Sequence, residues 1–289
     1  MRSLAHRRAY WLATRRQLLC VTVAELLAGA PALALTPLLE LADVRSALAD
    51  ARAAVDQALR HPALRRSGGS VAADKRQLAG PAQVLAHEAG LRSAVASAAL
   101  DGHRYDLDAV RAGTVTDPVL QGALRVAREL DGMAPLWPKV PRQVLARVHV
   151  LAGRDVVDDG SLGRPVSAEV MPRLAGLLAL VPGLDTVPTL LLAAVVHGEL
   201  LALRPFAGPS SVVARAAARL TLVAGGLDPR GLLAPEVGHL AREPEYLGAA
   251  NAFATGTPDG VRAWVKHCAA AVELAAAEVT TIADGPAAG

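Results

Sequence analysis

Apolar residues recur at intervals of three and four along most of the chain, which is the spacing of one face of an α-helix. The pattern is clearest over 44–59, where Arg and Asp fill the intervening positions. It predicts further helices, most of them bounded by Gly or Pro, at 81–100, 118–131, 141–152, 168–181, 187–203, 210–224 and 259–280. Apolar and polar residues alternate nowhere for more than a few positions, although 147–151 is too short to assign. We therefore expect an all-α fold.

The predicted helix 187–203 is apolar on all sides, so we expect it to be buried on all sides. A short loop, 204–209, follows it and leads into a second apolar helix that ends at Gly225-Gly226. The start of a helix carries free N–H groups and the positive end of the helix dipole. This turn between two central helices is therefore a favourable place for an anion site.

The segment 61–80 has no sustained apolar period and contains Pro62 and Gly68-Gly69, which makes it the best linker candidate. We predict an N-terminal helical segment with its linker at 1–75 and a helical domain at 76–289. The length of 289 residues is compatible with this division.

The composition restricts the class of protein. With 52% hydrophobic and 20% charged residues the chain can form a large core, and 3% aromatic residues disfavour an all-β fold. The sequence pI is near 9.2, but the net charge is only +3 and the arginines are interleaved with acidic residues. A surface for nucleic acid needs a concentrated basic stripe, so we do not expect nucleic-acid binding.

Cysteine and histidine spacing predicts neither a disulfide framework nor a metal site. The two cysteines, Cys20 and Cys268, lie far apart, which suits a reducing compartment. His87-Glu88 lacks the second histidine of a zinc-binding helix.

The N-terminus resembles a twin-arginine export signal at Arg15-Arg16, followed by an apolar run to Leu35. Glu25 lies inside that run, where a carboxylate is costly for membrane insertion. We therefore interpret the stretch as a helix of a cytoplasmic protein. Elsewhere the sequence offers no uninterrupted apolar stretch of the length that a membrane span requires, so membrane association is not expected.

Five residues around the 204–209 loop carry a resemblance to a known family. His197 stands seven positions before Arg204, and Arg204-Pro205-Phe206 is followed by Arg215. This order is similar to that of the Fic (Fido) family, whose motif runs His-Pro-Phe-x-Asp/Glu-Gly-Asn-Gly-Arg-x-x-Arg. Members of the family transfer AMP or related phosphate-bearing groups from a nucleotide to a hydroxyl side chain.

Flanking residues extend the resemblance to about 85–280. Ser97, Asp101 and Gly102 resemble the family's autoinhibitory Ser/Thr-x-x-x-Glu-Gly/Asn helix, with Asp in place of Glu. Tyr246 and Trp264 stand where Fic proteins often carry a Tyr and a Trp. The resemblance implies a Fic-like helical core, to which the N-terminal segment is an addition.

The departures from the motif affect four separate roles. Arg204 cannot accept the proton of a target hydroxyl as the motif His does, because a guanidinium stays protonated. Gly208 has no carboxylate for magnesium. Pro209 and Ser211 replace the two glycines, and Val212 replaces the first motif arginine. We therefore expect a degenerate motif that does not transfer AMP by the family's mechanism, with no catalytic residue assigned.

Four polar residues of the loop and of the helix that follows it form a candidate site for a small phosphate: Arg204, Ser210, Ser211 and Arg215. ATP or another nucleotide is the ligand that the resemblance implies, without a clear magnesium ligand. The alternative is structural, in which Arg204 caps the preceding helix and Arg215 pairs with Glu199 or Asp101.

Three functional hypotheses follow. The first is a Fic-like protein that acts by binding a nucleotide, a phosphate ligand or a partner protein. The second is a divergent transferase that uses His197 or Asp101 as its base, although His197 is better explained as a hydrogen-bonded core residue. The third is an interaction module whose segment 1–60 contacts a partner or a second copy.

Segment 163–167 leaves little room for the β-hairpin with which Fic proteins dock a target chain.

Overall fold

The computed structural model describes residues 31–65 and 81–284. Within these ranges the chain forms α-helices, turns and short 3-10 segments, and no strand. The helices are α1 (Val44–Leu59), α2 (Pro62–Arg65), α3 (Pro81–Leu100), α4 (Leu107–Arg111), α5 (Pro118–Met133), α6 (Pro141–Gly153), α7 (Met171–Leu178), α8 (Thr189–Leu203), α9 (Ser210–Ala224), α10 (Pro235–Ala241), α11 (Glu243–Ala254) and α12 (Pro258–Asp284). The 3-10 segments include Pro31–Glu40, Ala134–Leu136, Ala168–Val170 and Val181–Gly183.

The predicted helices over 44–59 and 81–100 are confirmed to the residue as α1 and α3. The single helix predicted over 168–181 is wrong. The structure divides this segment into a 3-10 turn at Ala168–Val170, helix α7 and a second 3-10 turn at Val181–Gly183. Pro182 accounts for the break, because its ring would clash with the carbonyl of residue 178 and it disfavours a helical conformation at residue 181.

Part of the predicted linker 61–80 is also ordered differently, since Pro62–Arg65 forms the short helix α2. The rest of that linker lies outside the described residues. So do the twin-arginine-like stretch, Cys20 and Glu25, together with the helix expected around them. The interpretation of the N-terminus therefore stays a prediction.

Helix α8 lies at the centre of the fold and packs along α9. Its residues from Leu190 to Gly198 are all buried, as is Leu200. This confirms the burial expected from a helix without a polar face. A tight loop then places the start of α9 beside the end of α8, which positions the candidate site.

Helix α1 packs against α12, the last and longest helix, which also contacts α10 and α11. Val44, Leu48 and Val55 of α1 belong to the same hydrophobic core as α8 and α9. The ammonium group of Lys266 in α12 lies 3.0 Å from an Asp43 carboxylate oxygen at the start of α1. The boundary predicted near residue 75 lies outside the described residues and stays a prediction.

Helix α10 approaches α12 so closely that only glycine fits at position 238. A Cβ atom on Gly238 would lie 2.2 Å from the carbonyl oxygen of Ala271, a backbone atom that cannot rotate away. We expect Gly238→Ala to lower the free energy of unfolding by about 3 kcal/mol, at the upper end of overpacking costs. Urea denaturation followed by circular dichroism measures this.

Gly248→Ala is the matched control, because Gly248 is exposed in α11 and an added Cβ would meet nothing within 4 Å. Alanine has the higher helix propensity, so this variant should gain about 0.5–1 kcal/mol. Equal stability of the two variants would show that α10 and α12 separate at little cost.

Across 31–65 and 81–284, none of the helices combines the length and the apolar character needed to cross a membrane. The same residues contain no group of three or more His, Cys, Asp or Glu side chains that could hold a metal ion.

Candidate anion site

The loop between α8 and α9 adopts two left-handed backbone conformations. Arg204, the residue at the position of the motif histidine, has φ 46° and donates its backbone N–H to the carbonyl of Leu200 at 2.9 Å. Gly208 has φ 63°, and a Cβ atom there would come within 2.6 Å of Val157 Cγ2. Both the conformation and the close contact exclude an acidic side chain at 208, because it would be strained and would displace Val157. Position 208 therefore has no room for a carboxylate side chain.

His149, which the sequence did not single out, fixes this loop from the side of α6. Its Nδ1 accepts a hydrogen bond from the backbone N–H of Gly163 at 2.9 Å, so the proton resides on Nε2, which donates to the carbonyl of Ala207 at 2.8 Å. The imidazole also stacks on Phe206 with the ring centroids 4.6 Å apart. Burial lowers the pKa of His149. The imidazole is therefore neutral at neutral pH and links the loop, at Nε2, to Gly163, at Nδ1.

The segment 163–167 lies beside the motif loop. The backbone N–H of Val166 donates to the carbonyl of Pro205 at 2.9 Å. Within the described part of the chain this segment forms no β-hairpin, which agrees with the little room predicted for one. The contact ties the segment to the loop by a single backbone hydrogen bond.

Helix α9 begins at Ser210, directly after Pro209, as the sequence predicts. In the described structure the backbone N–H groups of Ser211 and Val212 have no hydrogen-bond partner, as is usual in a first helical turn. The hydroxyl of Ser210 is buried and also lacks a partner among the described residues. The Ser211 hydroxyl, in contrast, donates to Asp101 Oδ2 at 2.6 Å.

Arg215 is the centre of the site, and its side chain is only 2% exposed. Its Nε donates to Ser97 Oγ at 2.8 Å, and its Nη2 donates to the Ser97 carbonyl and to Asp101 Oδ2, each at 2.9 Å. Its Nη1 lies 3.4 Å from the Tyr246 hydroxyl. One carboxylate oxygen of Asp101 thus accepts from both Arg215 and Ser211. Burial disfavours the charged guanidinium, but Tyr246 and Asp101 outweigh it and raise the pKa of Arg215.

The structure therefore brings together Ser97, Asp101, Ser211 and Arg215 from two helices that are far apart in sequence. Of the two acidic partners predicted for Arg215, Asp101 is the one observed. Glu199 instead accepts from Arg173 Nε at 2.7 Å. Gly102, with φ 92°, follows Asp101 and lets the chain turn away at the end of α3.

Arg204 does not join this cluster. Its side chain is exposed and makes no hydrogen bond or ion pair with the described residues. The convergence of Arg204 and Arg215 on one anion is therefore not observed. Only the backbone of Arg204 caps α8, so the predicted capping by its guanidinium is not observed either.

His197 lies deeper in the core, behind Arg215, and is 1% exposed. Its Nε2 is 3.1 Å from the Tyr246 hydroxyl, and its ring packs edge-on against His239 and Trp264. Burial and the charge of Arg215 lower the pKa of His197 well below its usual value. A base for a target hydroxyl must reach it within hydrogen-bond distance, and nothing in this arrangement brings His197 to the loop.

Three further buried charged residues are absent from the sequence predictions. Asp228 accepts the backbone N–H groups of Leu232 and Leu233 at 2.9 and 2.8 Å, and burial raises its pKa to about 6. Arg219, one turn after Arg215 on α9, and Glu236 on α10 are the other two. Charged residues usually indicate an exposed face, so no sequence pattern identified these side chains as internal.

Solved structures resemble this arrangement of helices. The chain superimposes on Fic-1 from C. elegans with a TM-score of 0.62 at 18% sequence identity, covering 86% of this chain and 74% of that one. It superimposes on a Fic family protein from Desulfovibrio desulfuricans G20 with a TM-score of 0.61 at 20% identity, covering 84% and 76%. The chain has a Fic fold. This confirms the all-α Fic-like core predicted from the sequence.

No family sequence model and no curated protein matches the chain. The Fic fold was nevertheless predictable from the order of His197, the Pro205-Phe206 pair and Arg215, together with the flanking Asp101. At this level of identity the likeness concerns the fold alone, so the function must be argued from the side chains of the site.

Proposed function

We propose that this Fic-fold protein binds a phosphate-bearing ligand at the start of α9 and does not transfer AMP by the mechanism of the Fic family. The observation that carries the proposal is the position of the Asp101 carboxylate. One of its oxygens lies between the guanidinium of Arg215 and the hydroxyl of Ser211, 2.9 and 2.6 Å away. The Asp101 carboxylate thus occupies a position whose hydrogen-bond donors favour a negative charge.

A phosphate oxygen would replace Asp101 at the same donors. Its further partners would be the unpaired backbone N–H groups of Ser211 and Val212, at the positive end of the α9 dipole. Asp101 is the more accessible member of the ion pair, because its side chain is 21% exposed whereas that of Arg215 is 2% exposed. Binding therefore requires the carboxylate to rotate away from Arg215.

The absence of transfer rests on the motif positions. Arg204 has no basic lone pair at physiological pH. Gly208 provides no metal ligand and, because of Val157, leaves no room for one. His197, the base in the alternative transferase hypothesis, is engaged with Tyr246. If the ligand is ATP, it would bind without a carboxylate at position 208 to hold its magnesium ion.

The ligand need not be a nucleotide, since the donors named above recognise only the phosphate. A partner protein or a second copy of the chain is the alternative binding partner, and it would contact other surfaces of the molecule. The contact between α1 and α12 uses one face of α1 inside the chain, so residues 44–59 do not form a detached arm.

Removing the competing carboxylate should strengthen binding. We expect Asp101→Ala to bind pyrophosphate and ATP at least about tenfold more tightly than the unmodified chain, since this corresponds to about 1.4 kcal/mol of lost competition. Isothermal titration calorimetry, with and without magnesium, measures the affinity. Asp108→Ala is the matched control, because Asp108 is an exposed carboxylate at another helix start and should leave the affinity unchanged.

Two results would contradict the proposal. One is the absence of heat at millimolar pyrophosphate and ATP with both the unmodified chain and Asp101→Ala. The other is transfer of label from labelled ATP to a protein of a cell lysate that depends on Asp101 or His197, which would favour a divergent transferase. Binding without transferred label supports the proposal.

A further inference from the structure

Two small cavities in the core around α9 and α10 share Arg219 and Glu236 in their linings. The larger, about 20 Å³, is lined on its polar side by His197, Arg215, Arg219, Glu236 and His239. The smaller, about 10 Å³, is lined by Arg219 and Glu236 together with Ser93 and Ser97. A cavity of about 10–15 Å³ or more accommodates one water molecule. The larger cavity is therefore of the size of a single water.

Arg219 and Glu236 line both cavities and are themselves 5% and 3% exposed. Arg219 Nη1 donates to Ser93 Oγ at 2.9 Å, and Nη2 lies 3.5 Å from the carbonyl of Gly231. Arg219 Nε and Glu236 Oε2, in contrast, are buried and have no hydrogen-bond partner in the described chain. No direct ion pair joins the two side chains within the described residues. Opposite charges thus stand on the same cavities, each with one unused polar atom.

Three species could satisfy these two atoms: an anion, an added proton or water. The charges around the larger cavity already balance, since Arg215 and Arg219 are compensated by Asp101 and Glu236. The neighbouring His197 and His239 are neutral, because burial lowers the pKa of each well below its usual value. An anion would therefore add an uncompensated charge, and a cavity of about 20 Å³ is too small for phosphate. A proton on Glu236 would turn Oε2 into a donor that has no acceptor among the described residues, and it would leave Arg219 Nε unpaired.

Water satisfies both atoms at once, because it can accept from Arg219 Nε and donate to Glu236 Oε2. We propose that the larger cavity is a binding site for one internal water molecule that bridges Arg219 and Glu236 as a water-mediated ion pair. Ser93 lines the smaller cavity together with both residues, and its oxygen accepts from Arg219 Nη1. The pair joins α9, which carries the candidate anion site, to α10. The cavity touches Arg215, but the bridged pair uses neither Arg215 nor Asp101, so the proposal does not depend on phosphate binding.

The test is a water-to-protein nuclear Overhauser measurement on the full chain with ¹⁵N-labelled arginine at pH 7. We expect a cross-peak between water and the Hε of Arg219 with the sign of a long-lived bound water. Arg173 is the matched internal control, because its Nε donates directly to Glu199 at 2.7 Å and should show no such peak. The Arg219 signal is assigned by its loss in Arg219→Lys.

Two further measurements distinguish a bound water from proton exchange through Ser93 and from a protonated Glu236. Exchange relayed through the Ser93 hydroxyl would abolish the cross-peak in Ser93→Ala, whereas a bound water leaves it in place. The ¹³C shift of the Glu236 carboxyl, assigned with Glu236→Gln, should show an ionised group at pH 7. Absence of the water cross-peak in the unmodified chain, its loss in Ser93→Ala, or a protonated Glu236 at pH 7 would each overturn the proposal.

Discussion

Replacing Arg215 by methionine is expected to abolish binding of pyrophosphate and ATP and to lower the free energy of unfolding by about 3 kcal/mol. The guanidinium donates to Ser97 Oγ, the Ser97 carbonyl and Asp101, and it approaches the Tyr246 hydroxyl. Methionine has a similar volume, so the loss measures hydrogen bonds and charge rather than a cavity. Removing one partner of a buried ion pair costs about 3–5 kcal/mol. We expect the lower end, because Asp101 is 21% exposed and regains water.

Urea denaturation at neutral pH measures the stability, and calorimetry measures the affinity. Arg147→Met is the control, since Arg147 pairs with Glu129 at the surface, 2.8 Å apart. Exposed pairs contribute about 0–1 kcal/mol, so this variant should change stability little. Equal losses in the two variants would show that Arg215 contributes no more than a surface ion pair.

A double substitution distinguishes the ion pair from the remaining contacts of Arg215. Adding Asp101→Asn to Arg215→Met removes the carboxylate that the first change leaves without its cation. The combined loss should then be smaller than the sum of the two single losses, because the two residues interact directly. Additivity within about 0.5 kcal/mol would mean that the Asp101 contact contributes nothing to stability.

The sequence predicts the long helices well because their stabilising contacts have a regular spacing. Helices α1 and α3 match their predicted ranges, and α8 is recognised by its lack of any polar face. The sequence analysis missed α4, α10 and α11, in addition to α2 within the predicted linker. The first two are only 5 and 7 residues long, too short to establish an apolar period, and α11 has Pro244 near its start and little amphipathic character. Tertiary packing, such as that of Gly238 on α12, stabilises these elements instead.

The residues of the candidate site that belong to the motifs were predictable from the sequence. The residues whose contacts are with backbone atoms were not. The sequence offers Asp101 as a partner of Arg215, with Glu199 as the alternative, and the structure shows Asp101. His149 had no such signal, because its partners are the backbone N–H of Gly163 and the carbonyl of Ala207. The hydrated pair of Arg219 and Glu236 was equally hidden, since a charge in the sequence gives no indication of its burial.

The buried histidines should make the protein sensitive to mild acid. Between about pH 7.5 and about pH 5 we expect the free energy of unfolding to fall by about 5 kcal/mol, as the sum of histidine and carboxylate contributions. His197, His239 and His267 form one cluster with Tyr246 and Trp264, in which His239 Nδ1 lies 3.0 Å from His267 Nε2. Two protonated imidazoles could not share that contact, because each nitrogen would carry a hydrogen.

Burial is the largest cause of the lowered pKa of all three histidines, and it lowers that of His267 to about 4. The charge of Arg215 further disfavours protonation of His197 and His239. In the unfolded chain each histidine titrates near about 6.5, so below that pH the unfolded state binds more protons than the native state. The stabilisation is therefore fully present above the unfolded pKa and is lost as the pH falls. A histidine that stays neutral in the native state down to about pH 5 contributes a loss of about 2 kcal/mol by that pH.

Asp228 acts in the opposite direction. Burial raises its native pKa to about 6, so between that pH and its unfolded pKa of 3.8 the native state holds the additional proton. Acidification to about pH 5 thereby recovers about 1 kcal/mol. Glu236, whose pKa is also raised by burial, adds to this recovery. Three histidines outweigh these carboxylates, which gives the net loss of about 5 kcal/mol.

Urea denaturation at several pH values gives the slope of stability against pH, and that slope counts the protons bound on unfolding. His239→Phe keeps an aromatic ring in the cluster and should reduce the slope between about pH 6 and about pH 5 by about one proton. His87→Gln is the control, because His87 is exposed on α3 and lies outside the buried cluster. A flat stability profile in this range, or equal slopes in His239→Phe and the unmodified chain, would contradict a neutral buried cluster. If stability depends steeply on pH and this dependence is lost in His239→Phe, the aromatic core behind Arg215 is the source of the acid sensitivity, and the exposed ion pairs are not.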